Sequence, residues 1–337
     1  MRSSGSPQSI FGLFGGPGFL VVCLLVVFIA GAIAYLALSG GHGTAGGATV
    51  SLPGGTVPPM LESSTAAGGT QLQSMPAAPV AKEISVGFAI EEDLSPTELL
   101  AKYPPDPSAA LAEGDGNLPA WQRFGRQSTV SPQAPRAALL ITGLGRSRID
   151  TVRAITGTPP ETSLSFAADA PELSAWIAAA RAYGHEALLD LPLDRPTDPD
   201  GLAAGRPAEE NLRRLDAMLA RAPMVAGVAV SGSETFLADA AALQPILAHA
   251  HELGLAVIGL PVTAPLTVAA DERIVSDATQ TAIGRSIETI MGLAQRRGAA
   301  LGAVDSTSAA TLFPAWRRAL VGRDEISLVP VTALVEE

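Results

Sequence analysis

Acidic and imidazole side chains beside one predicted strand are the groups in this chain best suited to hydrolytic chemistry. Within residues 185–194, His185 and Glu186 stand at the start of the strand, and Asp190 and Asp194 stand at its end. Two carboxylates in one pocket can serve as acid and base, or can hold a divalent metal. Acids at this position are also typical of loops that cap the next segment, and the sequence alone favours this second interpretation.

Three other polar clusters follow predicted strands. Thr142 opens a Thr-Gly-Leu-Gly turn, and a lone Gly-x-Gly without the full dinucleotide fingerprint indicates a tight strand-to-helix turn. Ser231 and Glu234 in one cluster and Asp305 in another are typical of helix N-caps. We therefore take Asp190 and Asp194 as candidate catalytic residues. The candidate binding residues are Thr142, His185, Glu186, Ser231, Glu234 and Asp305.

Composition narrows the possible chemistry. A formal net charge of −11 argues against a nucleic acid partner, because phosphate binding needs a basic surface. The single cysteine, Cys23, lies in an apolar run, so neither a disulfide framework nor a cysteine metal site is predicted. His249 and His251 are two residues apart on a predicted helix and do not share a face. No metal-binding residues are predicted.

The elements that must position these residues alternate regularly from residue 136 onward. Short apolar strands separated by helical patterns predict a parallel α/β sheet, whose ligand site lies at the carboxyl ends of the strands. About eight strands fit a barrel or distorted (β/α) barrel, and an open doubly wound sheet is the alternative. The predicted strands are residues 137–143, 162–166, 185–193, 225–231, 255–261, 273–276, 299–304 and 326–331.

The chain before this domain divides into three parts. Residues 18–38 carry no charge and are long enough to cross a bilayer, so we expect a retained transmembrane helix rather than a cleaved signal peptide. Arg2 favours a cytoplasmic tail at residues 1–17 and an external domain at 136–337. Residues 39–135 are predicted to be a disordered linker rich in Gly, Ala and Pro. Within that linker we expect a short capped helix and a docking segment, at residues 95–103 and 119–126.

Residues 137–334 resemble the divergent polysaccharide deacetylase family, relatives of esterases that remove acetyl groups from carbohydrates. The segment 119–126 resembles the one that precedes this domain in many members. The resemblance implies a distorted (β/α) barrel and an extracytoplasmic place in Gram-negative bacteria, hence a single-pass inner-membrane protein with a periplasmic domain. The matching blocks are residues 138–147, 162–173, 184–196, 227–239 and 326–335.

The departures from the family pattern concern the reaction. Active relatives carry an Asp-Asp pair after the first strand, one carboxylate as base and one as metal ligand, where this chain has Thr142-Gly143. The family's other motif positions are occupied here by residues 229–236, 259–261 and 303–305, without the usual histidines. Metal-assisted deacetylation needs a metal to polarise the acetyl carbonyl and activate water. Only His185 falls in a matching motif.

Three hypotheses follow. The favoured one is a catalytically degenerate deacetylase-like domain without a cofactor, whose partner is a cell-envelope glycan or an envelope protein. The second is an active hydrolase that uses Asp190, Asp194 and Glu234 or Asp305; a divalent metal is expected only in this case, Mg²⁺ or Ca²⁺ rather than Zn²⁺. The third is a structural envelope scaffold. In each case the N-terminal helix is expected to hold the protein in the inner membrane.

Overall fold

A computed structural model describes residues 89–194, 201–230, 233–261, 264–275, 278–321, 323 and 325–336. The chain divides into two units, Met1–Met75 and Pro76–Glu337, and all described residues belong to the second. Within the described residues, none of the helices has the length and apolarity to cross a membrane. The span predicted at residues 18–38 and the preceding tail lie outside the described residues.

One parallel sheet organises the described chain. Its strands pair in the order β6-β5-β4-β3-β2-β1-β8-β7, and β9 pairs with β1. The first strand shares one edge between two partners, since residues 136–138 pair with β9 and residues 140–144 pair with β2. The strands are β1 Arg136–Leu144, β2 Ser163–Ala167, β3 Ala187–Leu191, β4 Gly227–Val230, β5 Ala256–Ile258, β6 Thr267–Val268, β7 Glu272–Ile274, β8 Ala299–Asp305 and β9 Ser327–Val329.

The sheet is a curled half-barrel. The last long strand, β8, pairs with β1 as in a closed (β/α) barrel, and the strand order never reverses as it does in a doubly wound sheet. No ladder joins β6 to β7 in the described part of the chain, which leaves a seam there. The half-barrel fits the predicted distorted (β/α) barrel and not the open-sheet alternative.

Helices cover the outer face of the sheet. Strand alternation sends Leu189 and Leu191 of β3 into a large core shared with the helices, whereas Leu188 joins a smaller core inside the half-barrel. The helices are α1 Pro96–Lys102, α2 Ala120–Arg123, α3 Arg148–Gly157, α4 Leu173–Ala182, α5 Ala208–Arg221, α6 Glu234–Ala238, α7 Ala240–Glu252, α8 Gln280–Arg297 and α9 Ala309–Leu320.

The N-terminal segment, residues 89–135, packs against the domain, although it was assigned to the linker. The capped helix expected there is present as α1, with Ser95 and Glu98 bonding each other's backbone amides. Leu99 of α1 is fully buried in the large core. Trp121 of α2 packs against the inner core, as a docking segment would. The part of the predicted linker at residues 39–88 lies outside the described residues.

Candidate functional site

Asp190 stands at the carboxyl end of β3 and faces the interior of the half-barrel, because its neighbours Leu189 and Leu191 face the helices. Both of its carboxylate oxygens accept hydrogen bonds. The Gly143 amide donates to Oδ2 over 2.6 Å, and the Ser165 hydroxyl donates to Oδ1 over 2.6 Å. Gly143 has a φ of +80°, a conformation that glycine adopts without strain. These contacts fix the Asp190 carboxylate at the mouth, where the carboxyl ends of the strands meet.

Thr142 and Asp305 lie beside this carboxylate. They are register partners on β1 and β8, so the carboxyl ends of these strands bring them together. The Thr142 hydroxyl donates to the Val304 carbonyl over 3.3 Å. Asp305 Oδ1 accepts from the Thr307 amide over 3.0 Å and from its hydroxyl over 2.7 Å. Asp305 therefore caps the following 3₁₀ turn, as the sequence indicated, from a position at the mouth.

Charge and burial act together on Asp190. Burial raises the pKa of Asp190 above its ordinary value, because the ionised form loses hydration. The bonds from Ser165 and Gly143 and the charge of Arg146 lower this pKa, while the charge of Asp305 raises it. A carboxyl group of this kind can accept hydrogen bonds when ionised and can donate a proton when neutral.

Asp194, the other candidate catalytic residue, accepts hydrogen bonds from the backbone of one loop and one helix. Its φ is +50°, and its Oδ1 accepts from the Ala204 amide over 3.3 Å. Its Oδ2 accepts from the Phe236 amide over 3.1 Å, at the first turn of α6. The carboxylate thus joins the chain after β3 to the helix after β4, which matches the capping interpretation of this acid.

His185 and Glu186 precede β3 and lie at the opposite end of the half-barrel from Asp190. The imidazole is buried, with Nδ1 at 2.9 Å from the Thr162 carbonyl and Nε2 at 2.9 Å from the Ile155 carbonyl. Burial lowers the pKa of His185, while the contacts with the Thr162 and Ile155 carbonyls raise it. These contacts give His185 a structural position at the amino ends of the strands.

The buried Glu186 carboxylate joins three segments of the chain. Oε1 accepts from the Ser163 hydroxyl over 2.6 Å and from the Thr332 amide over 3.2 Å. Oε2 accepts from the Thr332 hydroxyl over 2.5 Å and from the Arg126 amide over 3.0 Å. Glu186 therefore ties the N-terminal segment and the C-terminal turn to β2, and these bonds explain why an acid is tolerated there.

Of the last two candidate binding residues, only Glu234 lies within the described residues. Glu234 is the first residue of α6 and is exposed. The N-cap is Ser233, whose hydroxyl accepts from the Phe236 amide over 3.1 Å. Ser231 lies outside the described residues.

Two residues of the mouth were missed by sequence reasoning. Ser165 positions Asp190, and it is recognisable only once β2 and β3 are known to be neighbours. Arg273 of β7 donates from Nη2 to the Gly259 carbonyl over 2.7 Å and to the Val230 carbonyl over 3.2 Å. The signal that could have found Arg273 is strand alternation, which places the side chain of the middle residue of 272–274 inside the half-barrel.

Comparison with known proteins decides the family. A profile described as divergent polysaccharide deacetylase matches residues 139–335, which is more than half of the chain. The chain belongs to the divergent polysaccharide deacetylase family. The resemblance inferred from the sequence motifs is thereby confirmed.

A solved structure supports the same assignment. The crystal structure of the uncharacterized protein ATU2773 from Agrobacterium tumefaciens C58 aligns with a TM-score of 0.60 at 30% sequence identity. The alignment covers 66% of this chain and 98% of that chain. No curated protein matches this chain.

The deacetylases related to this family use a metal, and the described residues at the mouth do not form a site for one. No group of three or more His, Cys, Asp or Glu side chains within the described residues is placed to hold a metal ion. His185 is at the other end of the half-barrel, and His249 pairs with Asp216 over 2.7 Å on the helical surface. Among the residues that the structure describes, the mouth offers carboxylates and hydroxyls but no imidazole ligand.

A separate cavity of about 570 Å³ opens between the start of α4 and the end of α5. Its acidic residues are paired: Asp169 lies 2.7 Å from Arg146, and Glu172 lies 3.1 Å from Arg148. Arg221 donates to the Ala168 carbonyl over 3.0 Å. Because the acids of this cavity already form ion pairs, we place the candidate site at the mouth of the half-barrel instead.

Proposed function

We propose that this family member is a catalytically degenerate deacetylase-like domain that binds a cell-envelope glycan at the mouth of the half-barrel. The observation that carries the proposal is Asp190, whose two oxygens are fixed by Gly143 and Ser165, at a mouth where the described residues include no imidazole ligand. Sugars present pairs of hydroxyl groups, which donate readily to fixed carboxylates and accept from hydroxyls. Thr142 and Asp305 supply further groups of both kinds.

The proposal includes a location. The apolar run at residues 18–38 holds the protein in the inner membrane as a single span, and the domain faces the periplasm. Support comes from the length and lack of charge of this run, and from Arg2 on its N-terminal side. A periplasmic domain has direct access to the envelope glycan.

Cosedimentation with purified peptidoglycan tests the binding function. The full chain in detergent micelles is expected to sediment with the glycan, and Asp190→Ala is expected to lower the bound fraction severalfold. Asp216→Ala, on the exposed face of α5, serves as the matched control and should bind like the wild type. Equal binding by both variants would show that the mouth is not the glycan site. No binding by the wild type would favour a structural scaffold.

A second candidate, an active hydrolase, is favoured by one observation. Burial raises the pKa of Asp190, and a neutral carboxyl group can donate a proton to a leaving group. Release of acetate from N-acetylated glycan, abolished in Asp190→Asn, would establish this activity and overturn the degenerate assignment. We expect no acetate above the level given by the variant.

A further inference from the structure

Arg273 is a charged side chain inside the half-barrel that the proposed function leaves unused. Its strand neighbours point the other way: Glu272 accepts from the Ser286 hydroxyl of α8 over 2.7 Å, and Ile274 is buried in the large core. Strand alternation therefore sends Arg273 to the inner face. Its register partner on β8 is Ala303, two residues before Asp305 at the mouth.

Backbone contacts hold the Arg273 guanidinium in place. Nη2 donates to the carbonyls of Gly259 and Val230, which lie at the carboxyl ends of β5 and β4. The side chain thus crosses the seam from β7. Two of the five N–H donors of the guanidinium are used in these bonds. Within the described part of the chain Nε and Nη1 make no hydrogen bond, and the planar group holds them in a fixed orientation.

The charge of Arg273 has no paired acid among the described residues. Arg146 and Arg297, by contrast, form ion pairs with Asp169 and Asp271. The Arg273 side chain remains exposed to solvent at the mouth. The two carboxylates that shape the other side of the mouth, Asp190 and Asp305, come from β3 and β8. An accessible, oriented guanidinium without a paired acid is the arrangement that binds an anionic group.

We propose that Arg273 forms an oxyanion subsite at the mouth of the half-barrel, which takes a carboxylate or phosphate group carried by the glycan. This inference rests on the proposed function and narrows it to anionic glycans. The opposing interpretation is purely structural: Arg273 only bridges the seam between β7 and β6, by bonding the ends of β5 and β4. The two interpretations predict different ligand selectivity, because a purely structural Arg273 would support the binding of neutral and anionic ligands equally.

Calorimetric titration of the full chain in detergent micelles separates these interpretations. The ligands are an oligogalacturonate, a neutral chitooligosaccharide of the same length, and inorganic phosphate. For the wild type we expect oligogalacturonate and phosphate to bind. Arg273→Gln should lose about tenfold or more in affinity for both anions, as expected for charge-assisted hydrogen bonds. Its affinity for the chitooligosaccharide should stay unchanged.

Two further variants keep the test decisive. Arg285→Gln removes an exposed cation from α8 on the outer face and should leave all affinities at wild-type values. Arg273→Lys keeps the charge without the planar fork and should retain part of the anion binding even if Arg273→Gln fails to fold. Whichever anion binds the wild type more tightly identifies the source as carboxylate or phosphate.

Several results would overturn the subsite. These are equal losses for neutral and anionic ligands in Arg273→Gln, an equal loss in Arg285→Gln, or no binding of either anion to the wild type. Wild-type binding of peptidoglycan and chitooligosaccharide that persists in Arg273→Gln, without anion selectivity, would leave the proposed function intact. Failure of this inference is thus distinguishable from failure of the glycan-binding function.

Discussion

At the scale of single residues, Asp190 has an environment unlike that of an ordinary surface acid. It is held at the mouth by one amide and one hydroxyl, and burial raises its pKa. A carboxyl group in such a place is unfavourable for folding when ionised, and such perturbed groups cluster at functional sites. Its retention supports a role in binding rather than in stability.

The pH dependence of stability tests this environment. The folded-state pKa of Asp190 is raised, so its contribution to stability is fully present below the unfolded-state pKa of about 3.9 and is lost as pH rises through the folded-state pKa. The variant Asp190→Asn does not lose stability in this way, because its amide does not ionise as pH rises. Asn fits because its oxygen can face the Gly143 amide and its NH₂ can face the Ser165 hydroxyl, which can turn.

We therefore expect Asp190→Asn to be at least as stable as the wild type at pH 7, and relatively less favoured near pH 4. Denaturant unfolding across this pH range measures the difference in free energy of unfolding. Asp216→Asn, at an exposed site, provides the control and should follow the wild type. A wild type that gains stability over Asp190→Asn as pH rises would show that the sign of the shift is wrong.

At the scale of elements, the Glu186 carboxylate connects pieces that are distant in the chain. It bonds the N-terminal segment at Arg126, β2 at Ser163 and the C-terminal turn at Thr332. Glu186 precedes β3 and Ser163 begins β2, so these bonds are made at the amino ends of the two strands. The family block around His185 and Glu186 is therefore explained by architecture, and the mouth at the other end is left free for a ligand.

Glu186→Gln is expected to destabilise the domain by about 2 kcal/mol or more. One Glu186 oxygen accepts from the Thr332 amide and the other accepts from the Arg126 amide. The NH₂ group of glutamine would therefore face a backbone N–H, which is a donor and cannot act as an acceptor. Thermal and denaturant unfolding measure the effect. The matched change Glu234→Gln, at an exposed position, should be nearly neutral. Similar stabilities for the two variants would contradict the connecting role of Glu186.

Some elements were predictable from sequence and others were not, for physical reasons. Continuous apolar runs identified β1 to β5 and β8, and the capping box at Ser95 identified α1. Helices α6 and α7 are separated at Asp239, whose carboxylate caps α7 by accepting from the Ala241 and Ala242 amides, and apolar periodicity does not reveal this boundary. The two-residue β6 is too short to carry a periodic signal.

The candidate site was predictable only in part. Thr142, Asp190 and Asp305 lie together because carboxyl ends of parallel strands meet at one edge of a sheet, which sequence reasoning could anticipate. Sequence reasoning could not show that the Asp194 carboxylate accepts from the Ala204 and Phe236 amides, because these residues lie 10 and 42 positions further along the chain. Arg273 was missed because its strand has only three residues.

At the scale of the whole molecule, the folded unit includes the N-terminal segment. Leu99 is fully buried, and Arg181 donates from Nη1 to the Phe124 carbonyl over 2.6 Å. The inner core also receives Trp121. The segment thus contributes to the domain's stability, and the composition that predicted a linker through residue 135 did not reveal these contacts.

Truncation separates the segment from the chain before it. A protein that lacks residues 1–88 is expected to unfold cooperatively, whereas one that lacks residues 1–135 should aggregate or unfold at a much lower temperature. Within the longer protein, Leu99→Ala should cost about 2–5 kcal/mol, because it leaves a cavity in the core. Circular dichroism during heating measures each case. Equal melting temperatures for the two truncations would contradict this role.

The proposed orientation has its own test in cells. A reporter that is active only outside the cytoplasm, fused after Glu337, should be active, because the single positive charge before residues 18–38 favours a cytoplasmic N-terminus. The same reporter fused before Met1 should be inactive. An inactive C-terminal fusion that is present at full length would contradict the periplasmic location.

Glycan binding at the mouth is tested most directly by hydrogen exchange of the full chain with and without soluble N-acetylated glycan fragments. With glycan bound, we expect slower amide exchange at residues 139–146, 187–194 and 303–308. These ranges contain the carboxyl ends of the strands that carry Thr142, Asp190 and Asp305. Exchange around Ser163, Glu186 and Thr332 at the opposite end should stay unchanged. Slower exchange confined to the outer helices, or no change anywhere, would contradict glycan binding at the mouth.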